Sequence, residues 1–193
     1  MSRASIAVLA LGLAALAHPA LTAQQRATTA APAAAATILV ADTAKGQFEI
    51  EVFSADAPKS AARIVELVRT NFYRGQRVHS VSQGVIEFGD PGTRNMSKVS
   101  DWGFTGSGKR IGVKETSKRS FDRGVVGYAY PKDGKPEDAD SHLFILKIGN
   151  PALNGKYAAI GRVTKGMDVV DKLQHSDLIR NITIKAAAAP AAK

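Results

Sequence analysis

The chain has 193 residues, of which 45% are hydrophobic and 22% charged; these are the proportions of one globular domain plus extensions, and they exclude collagen-like, coiled-coil and wholly disordered chains. It has no cysteine, which rules out a disulfide framework, thiol catalysis, iron–sulfur or zinc-thiolate sites and a lipid-modified N-terminal cysteine. The net charge is +9, but the basic residues are scattered between Arg63 and Lys185 without a long block, which reads as solvated surface rather than a nucleic-acid footprint.

Arg3 precedes an apolar run from Ala4 to Ala17, shorter than the about 20 residues a membrane-spanning helix needs. Pro19 and the small residues of Ala20–Ala23 follow. A positive start, a short apolar core and a small-residue exit predict a secretory signal peptide over residues 1–23. The mature chain is then exported, periplasmic or secreted, with no stable membrane insertion after cleavage. Residues 24–36 are a low-complexity linker and 186–193 a similar tail, with nothing bulky to bury. The folded unit is therefore expected over residues 37–185.

Within it, Ile38–Ala41 and Phe48–Phe53 flank Lys45-Gly46, and Phe48, Ile50 and Val52 alternate with polar residues, the pattern of an opening hairpin. Asp56 as an acidic cap and Pro58 in the first turn start a helix running to Asn71, with Ala61, Ile64, Val65 and Val68 inward. Strands are expected over Arg77–Ser82 and Val85–Gly89, a long loop over Asp90–Gly112, and strands over Gly124–Tyr130, Ser141–Ile148 and Ala158–Thr164. A second helix follows over Met167–Gln174, and Ile179–Ile184 forms the last strand. Many short strands with only two helices argue for a closed barrel or a sandwich rather than alternating β-α units.

The order of short motifs resembles the cyclophilin-type peptidyl-prolyl isomerases over nearly all of Ile38 to Lys185. Carrying the resemblance are Asp56-Ala57-Pro58-Lys59-Ser60-Ala61, Phe72-Tyr73-Arg74-Gly75, Val78-His79-Ser80-Val81, Gly89-Asp90-Pro91, Asp122-Arg123-Gly124-Val125, Asp140-Ser141-His142-Leu143-Phe144-Ile145, Leu153-Asn154-Gly155-Lys156-Tyr157, Ile160-Gly161-Arg162-Val163 and Gly166-Met167-Asp168-Val169-Val170. The resemblance implies a mainly-β fold, a closed eight-stranded antiparallel barrel capped by two helices. It also implies a proline-binding groove on the outer face, and chemistry that needs neither cofactor nor metal.

Carried over residue by residue, Phe144 is the aromatic floor of the proline pocket, Leu153 its rim and Tyr157 a wall. Ala129 is the backbone position that grips the peptide. His79 matches the histidine preceding the catalytic arginine and reads as structural. Val85 and Ile86 replace a phenylalanine and an aliphatic residue of the groove, and Tyr130 replaces an asparagine. The catalytic arginine's own position carries Ser80, whose short neutral hydroxyl cannot supply a charged fork donor. Glu87 stands for the glutamine that orients that arginine, and His142 for a second glutamine. The resulting expectation is a monomeric prolyl isomerase with reduced activity on X–Pro bonds of envelope or secreted proteins, with Ser80, Glu87 and His142 in the catalytic positions. Its rival is a non-catalytic proline-peptide-binding or chaperone-like module on the same barrel.

Overall fold

The computed structural model describes residues 36–130 and 134–185. The expected signal peptide over 1–23, all but the last residue of the linker and the tail over 186–193 lie outside the described residues.

Strands β1 (Ile38–Thr43) and β2 (Gly46–Val52) pair antiparallel from Ile38 opposite Glu51 to Thr43 opposite Gly46. Phe48, Ile50 and Val52 point inward, as their alternation with polar residues predicts. Helix α1 (Pro58–Arg69) packs Ala61, Ile64, Leu67 and Val68 into the core, while Val65 is only half-buried. The helix ends before Asn71, which adopts a left-handed backbone at φ 54. Asp56 does not cap it. The Glu115 carboxylate, distant in sequence, accepts from the Lys59 and Ser60 amides at 2.8 and 2.7 Å, and Asp56 pairs with Arg119 instead.

The remaining elements are β3 (Ser80–Val81), β4 (Val85–Phe88), β5 (Val125–Tyr128), β6 (Leu143–Leu146), β7 (Ala158–Lys165), α2 (Met167–Lys172) and β8 (Ile179–Ile184). The expected loop over 90–112 contains two 3-10 turns, Pro91–Arg94 and Met96–Asp101. All pairings are antiparallel, in the order β3-β4-β6-β5-β7-β2-β1-β8.

The sheet is an open half-barrel, which corrects the expected closed barrel. Its edges are β3 and β8, and the reason lies in the strand expected over Arg77–Ser82, of which only Ser80–Val81 forms. The backbone before β3 divides its hydrogen bonds among separate partners. The Arg77 amide donates to the Thr93 hydroxyl, Val78 to the Asp177 carbonyl and His79 to the Glu87 carbonyl. Across the gap, segment 75–78 meets 176–179 through the Arg77–Leu178 bridge and through backbone hydrogen bonds in which Gly75 donates to Ile179, Ile179 to Gln76, Val78 to Asp177 and Ser176 to Val78. These contacts lie ahead of β3 and no further along than the first residue of β8, and the two strands themselves do not pair, so the half-barrel stays open between them.

The main core lies inside the curved sheet and under α1, and includes Phe48, Ile64, Ile86, Phe88, Val126, Tyr128, Leu143 and Ile145. A second, smaller cluster sits on the outer face around Phe121, Val125, Phe144, Leu146 and Ala159. Strand β6 serves both, with Leu143 and Ile145 inward and Phe144 and Leu146 outward, so each of its residues is buried. Full burial of such side chains stabilises by about 1.5–3 kcal/mol each. That anchors the outer cluster on a strand with little freedom to move.

Candidate functional site

A groove of about 880 Å³ opens on the outer face above β4, β6 and β5. Its floor is Phe144, which lies opposite Glu87 of β4 on one side and Gly127 of β5 on the other. Gly127 is required there, since a Cβ at that position would overlap the Phe144 ring. Aromatic rings continue from the floor into one wall. Phe121 stacks on Phe144 at 6.0 Å, Tyr157 meets Phe144 edge-on at 5.3 Å, and Tyr130 stacks on Tyr157 at 4.7 Å. Burial first, then the neighbouring Tyr130, push the Tyr157 phenol up, so it stays neutral. Leu153 reaches the rim from the 3-10 turn Pro151–Leu153, and Val85 and Ala129 complete the apolar part.

The opposite wall is the segment 103–108, folded back over the sheet and pinned by two aspartates. Asp90, fully buried, accepts from the Gly103 amide at 2.5 Å and the Phe104 amide at 3.2 Å, and also from the Thr105 hydroxyl. Burial pushes the Asp90 carboxyl up, but the Thr105 hydroxyl and the Gly92, Gly103 and Thr105 amides outweigh it and hold the carboxyl low. Asp140 accepts from the Gly108 amide at 2.8 Å and from the Ser107 hydroxyl, and Arg63 stands 3.8 Å from it. His142 Nε2 lies 2.6 Å from the Thr105 carbonyl, an acceptor, so the imidazole carries its proton on Nε2 and donates it there. Phe104 stands 84% exposed at the groove mouth.

Of the residues singled out from sequence, Val85, Glu87, Ala129, Tyr130, His142, Phe144, Leu153 and Tyr157 all line this one groove. Three do not. Ile86 is fully buried in the main core, because consecutive strand residues face opposite sides and Val85 and Glu87 take the outer face. Ser80 stands opposite Glu87 across β3 and β4, but its short side chain is not part of the lining. His79 packs behind the groove, 5.0 Å ring to ring from His142 and beneath Gly103, with Nε2 buried and unpartnered. Burial first and His142 second push the His79 imidazole down to about 4, against the opposing pull of Asp90. His79 is thus held neutral outside the groove lining.

Sequence reasoning missed the second wall. Phe104, Thr105 and Arg110 line the groove from the segment expected to be plain loop, and Asp140 joins them from ahead of β6. The available signal was the run Gly103, Gly106 and Gly108 together with Asp90 and Asp140, glycines and carboxylates suited to a folded-back loop. The lining cation Arg110 is engaged with Asp138 at 2.7 Å. Arg77, close to Ser80 in sequence, donates to the Ser176 carbonyl at 2.8 Å and does not line the groove. Among the described residues there is no group of three or more His, Asp or Glu placed to hold a metal ion, and no helix long and apolar enough to cross a membrane.

Residues 37–189 match the family model described as cyclophilin type peptidyl-prolyl cis-trans isomerase/CLD. The chain is 36% identical over 144 residues to a probable peptidyl-prolyl cis-trans isomerase of Brucella abortus, covering 72% of each chain. It is 32% identical over 148 residues to a peptidyl-prolyl cis-trans isomerase of Acinetobacter baylyi, covering 74% of each. Among solved structures, a cyclophilin type peptidyl-prolyl cis-trans isomerase of Cryptosporidium parvum superposes with a TM-score of 0.67 at 22% identity, covering 79% of this chain and 99% of that one. At that identity the likeness concerns the fold.

Proposed function

The chain belongs to the cyclophilin-type peptidyl-prolyl cis-trans isomerase family, and we propose that it isomerises X–Pro bonds in proline-containing segments of exported proteins, more slowly than relatives that carry an arginine at the Ser80 position. Rotation about an X–Pro amide is opposed by about 18–20 kcal/mol, because the C–N bond is partly double. A catalyst must favour the twisted state, in which conjugation is lost and the nitrogen gains a lone pair. The groove suits that task. The observation that carries the reading is the apolar pocket of Phe144 laid on Gly127 and walled by Tyr157, Leu153 and Val85, an apolar surface suited to a proline ring. Backbone at Ala129 grips the flanking peptide, and Tyr130 and His142 border its path.

The slower rate follows from Ser80. A preorganised donor to a transition state is worth about 10²–10³ in rate, and a serine that does not line the groove cannot supply it. The same observation favours a second reading, a monomeric proline-peptide-binding module with chaperone-like use and no turnover. Export rests on the N-terminal sequence pattern alone. A conformational assay on an Ala-Pro peptide separates the readings, since an isomerase accelerates exchange and a binding module does not. Ser80→Arg combined with Glu87→Gln, restoring donor and orienting amide, is expected to raise the rate by about tenfold or more, a part of the 10²–10³ a preorganised donor contributes. A double variant that binds peptide and gains nothing would sink the site assignment.

A further inference from the structure

Where an arginine is missing, the groove presents a carboxyl instead. Glu87 lines the groove directly beside the Phe144 floor and opposite Ser80, at the junction of the proline pocket and the peptide path. It is half-buried, and neither a hydrogen bond nor an ion pair to another side chain engages its carboxyl among the described residues. Every other groove carboxylate is committed. Asp140 holds the Gly108 amide and the Ser107 hydroxyl, and Asp90 beneath the wall holds the 103–105 backbone. An unengaged carboxyl beside a proline pocket is unexplained by packing and unhelpful as an anion, since negative charge opposes a developing nitrogen lone pair.

We propose that the Glu87 carboxyl in its protonated form is the hydrogen-bond donor to the twisted amide nitrogen, in place of the absent guanidinium. The neutral acid has one O–H donor, which the lone pair of the pyramidal nitrogen can accept and the flat ground-state amide nitrogen cannot, so the bond strengthens only as rotation proceeds. No proton needs to be transferred. Burial pushes the Glu87 carboxyl up, with only His142 pulling the other way, which favours the neutral form. The titratable groups that face it are His142 ahead of β6 and the Tyr157 phenol, which stays neutral; Arg110 and Asp140 occupy the far wall, and each has its own partner. Bound peptide covers the groove and removes further water from Glu87, pushing in the same direction.

This inference rests on the isomerase reading above and is tested separately from it. Exchange of a short Ala-Pro peptide is followed by NMR between pH 5 and pH 8 on the full chain, at points where near-UV circular dichroism is native and peptide binding is measured alongside. The wild-type rate constant should fall as pH rises, by up to about tenfold per unit once the carboxyl is mostly ionised. Glu87→Gln, which keeps a permanent N–H donor, should be pH-independent and faster than wild type at pH 8. Glu87→Ala should be pH-independent and slow throughout. His142→Gln should keep a pH-dependent rate, which assigns the titration to Glu87. A wild-type rate equal at every pH, or a Glu87→Ala variant with the wild-type profile, would overturn the assignment to Glu87 while leaving the isomerase intact. Peptide binding without accelerated exchange at any pH would overturn both.

Discussion

The two sides of β6 have the same degree of burial and different uses. Leu143 and Ile145 face a large core of aliphatic and aromatic side chains. Phe144 and Leu146 face a small cluster that ends at a groove, with an unengaged carboxyl beside it and a buried, unpartnered histidine nitrogen close behind. The inner side is occupied by apolar side chains packed on one another. The outer side keeps Phe144 only 5% exposed and yet free to receive a ring against its open face. Burial alone therefore does not separate structural residues from functional ones here. What differs is the neighbouring space: on the inner side this chain fills it, and on the outer side it opens into the groove.

Substitution on either side of the strand is the strongest way to break that contrast. Phe144→Ala is expected to destabilise by about 3–5 kcal/mol and to abolish proline-peptide binding in whatever fraction remains folded. Ile145→Ala should cost about 2–5 kcal/mol, with binding by the folded protein nearly unchanged. Denaturant melts and peptide titrations on both variants check this. Comparable loss of binding in the two would mean that the groove assignment is wrong. His79→Ala, behind the groove, should weaken binding less than Phe144→Ala.

The next effect is on pH. His79 is neutral in the fold at about 4 against about 6.5 in the unfolded chain. A depressed histidine value means that the unfolded state takes up the proton first. The stability it supports is present above about pH 6.5 and is lost as pH falls toward 4, by at most about 3 kcal/mol. The stability difference between wild type and His79→Asn, measured by urea melts across that window, should shrink as pH drops. A difference independent of pH would contradict a neutral, largely desolvated ring.

Less of the site than of the fold was legible in the sequence, and the reasons are physical. The alternation in Phe48–Val52 and the proline start of α1 are local, and both elements formed where expected. The cap of α1 was not, because Glu115 arrives from a segment with no periodic signal. The strand expected over Arg77–Ser82 shortens to two residues because β-propensity there cannot reveal that its first amides go to Thr93 and Asp177. Ile86 faces the core because two consecutive residues of one strand cannot both line one face, and Val85 takes the outer one. The wall over 103–108 is set by carboxylates on other segments, and nothing within the segment names its partners.

Two smaller effects sharpen the contrast further. Asp90→Asn replaces one acceptor oxygen by a donor facing the Gly103–Thr105 amides, at a cost of about 1–3 kcal/mol. Hydrogen exchange at those amides should quicken while β6 stays protected. Unchanged protection of the 103–105 amides would mean that the wall is held by something else. The smallest effect is expected from removing everything outside the core-forming residues. Residues 37–185 expressed alone should unfold in a single sharp transition near that of the full chain, and loss of that transition would show that the flanking residues contribute to the fold.

In the proposed function, the outer-face groove holds a proline ring and lets its amide twist. NMR exchange spectroscopy of an Ala-Pro peptide with the wild-type chain at neutral pH tests it directly. Accelerated cis–trans exchange, slower than by an arginine-bearing relative and removed by Phe144→Ala in folded protein, is the result expected. Exchange at the uncatalysed rate in the presence of bound peptide, or acceleration that survives Phe144→Ala in full, would contradict it.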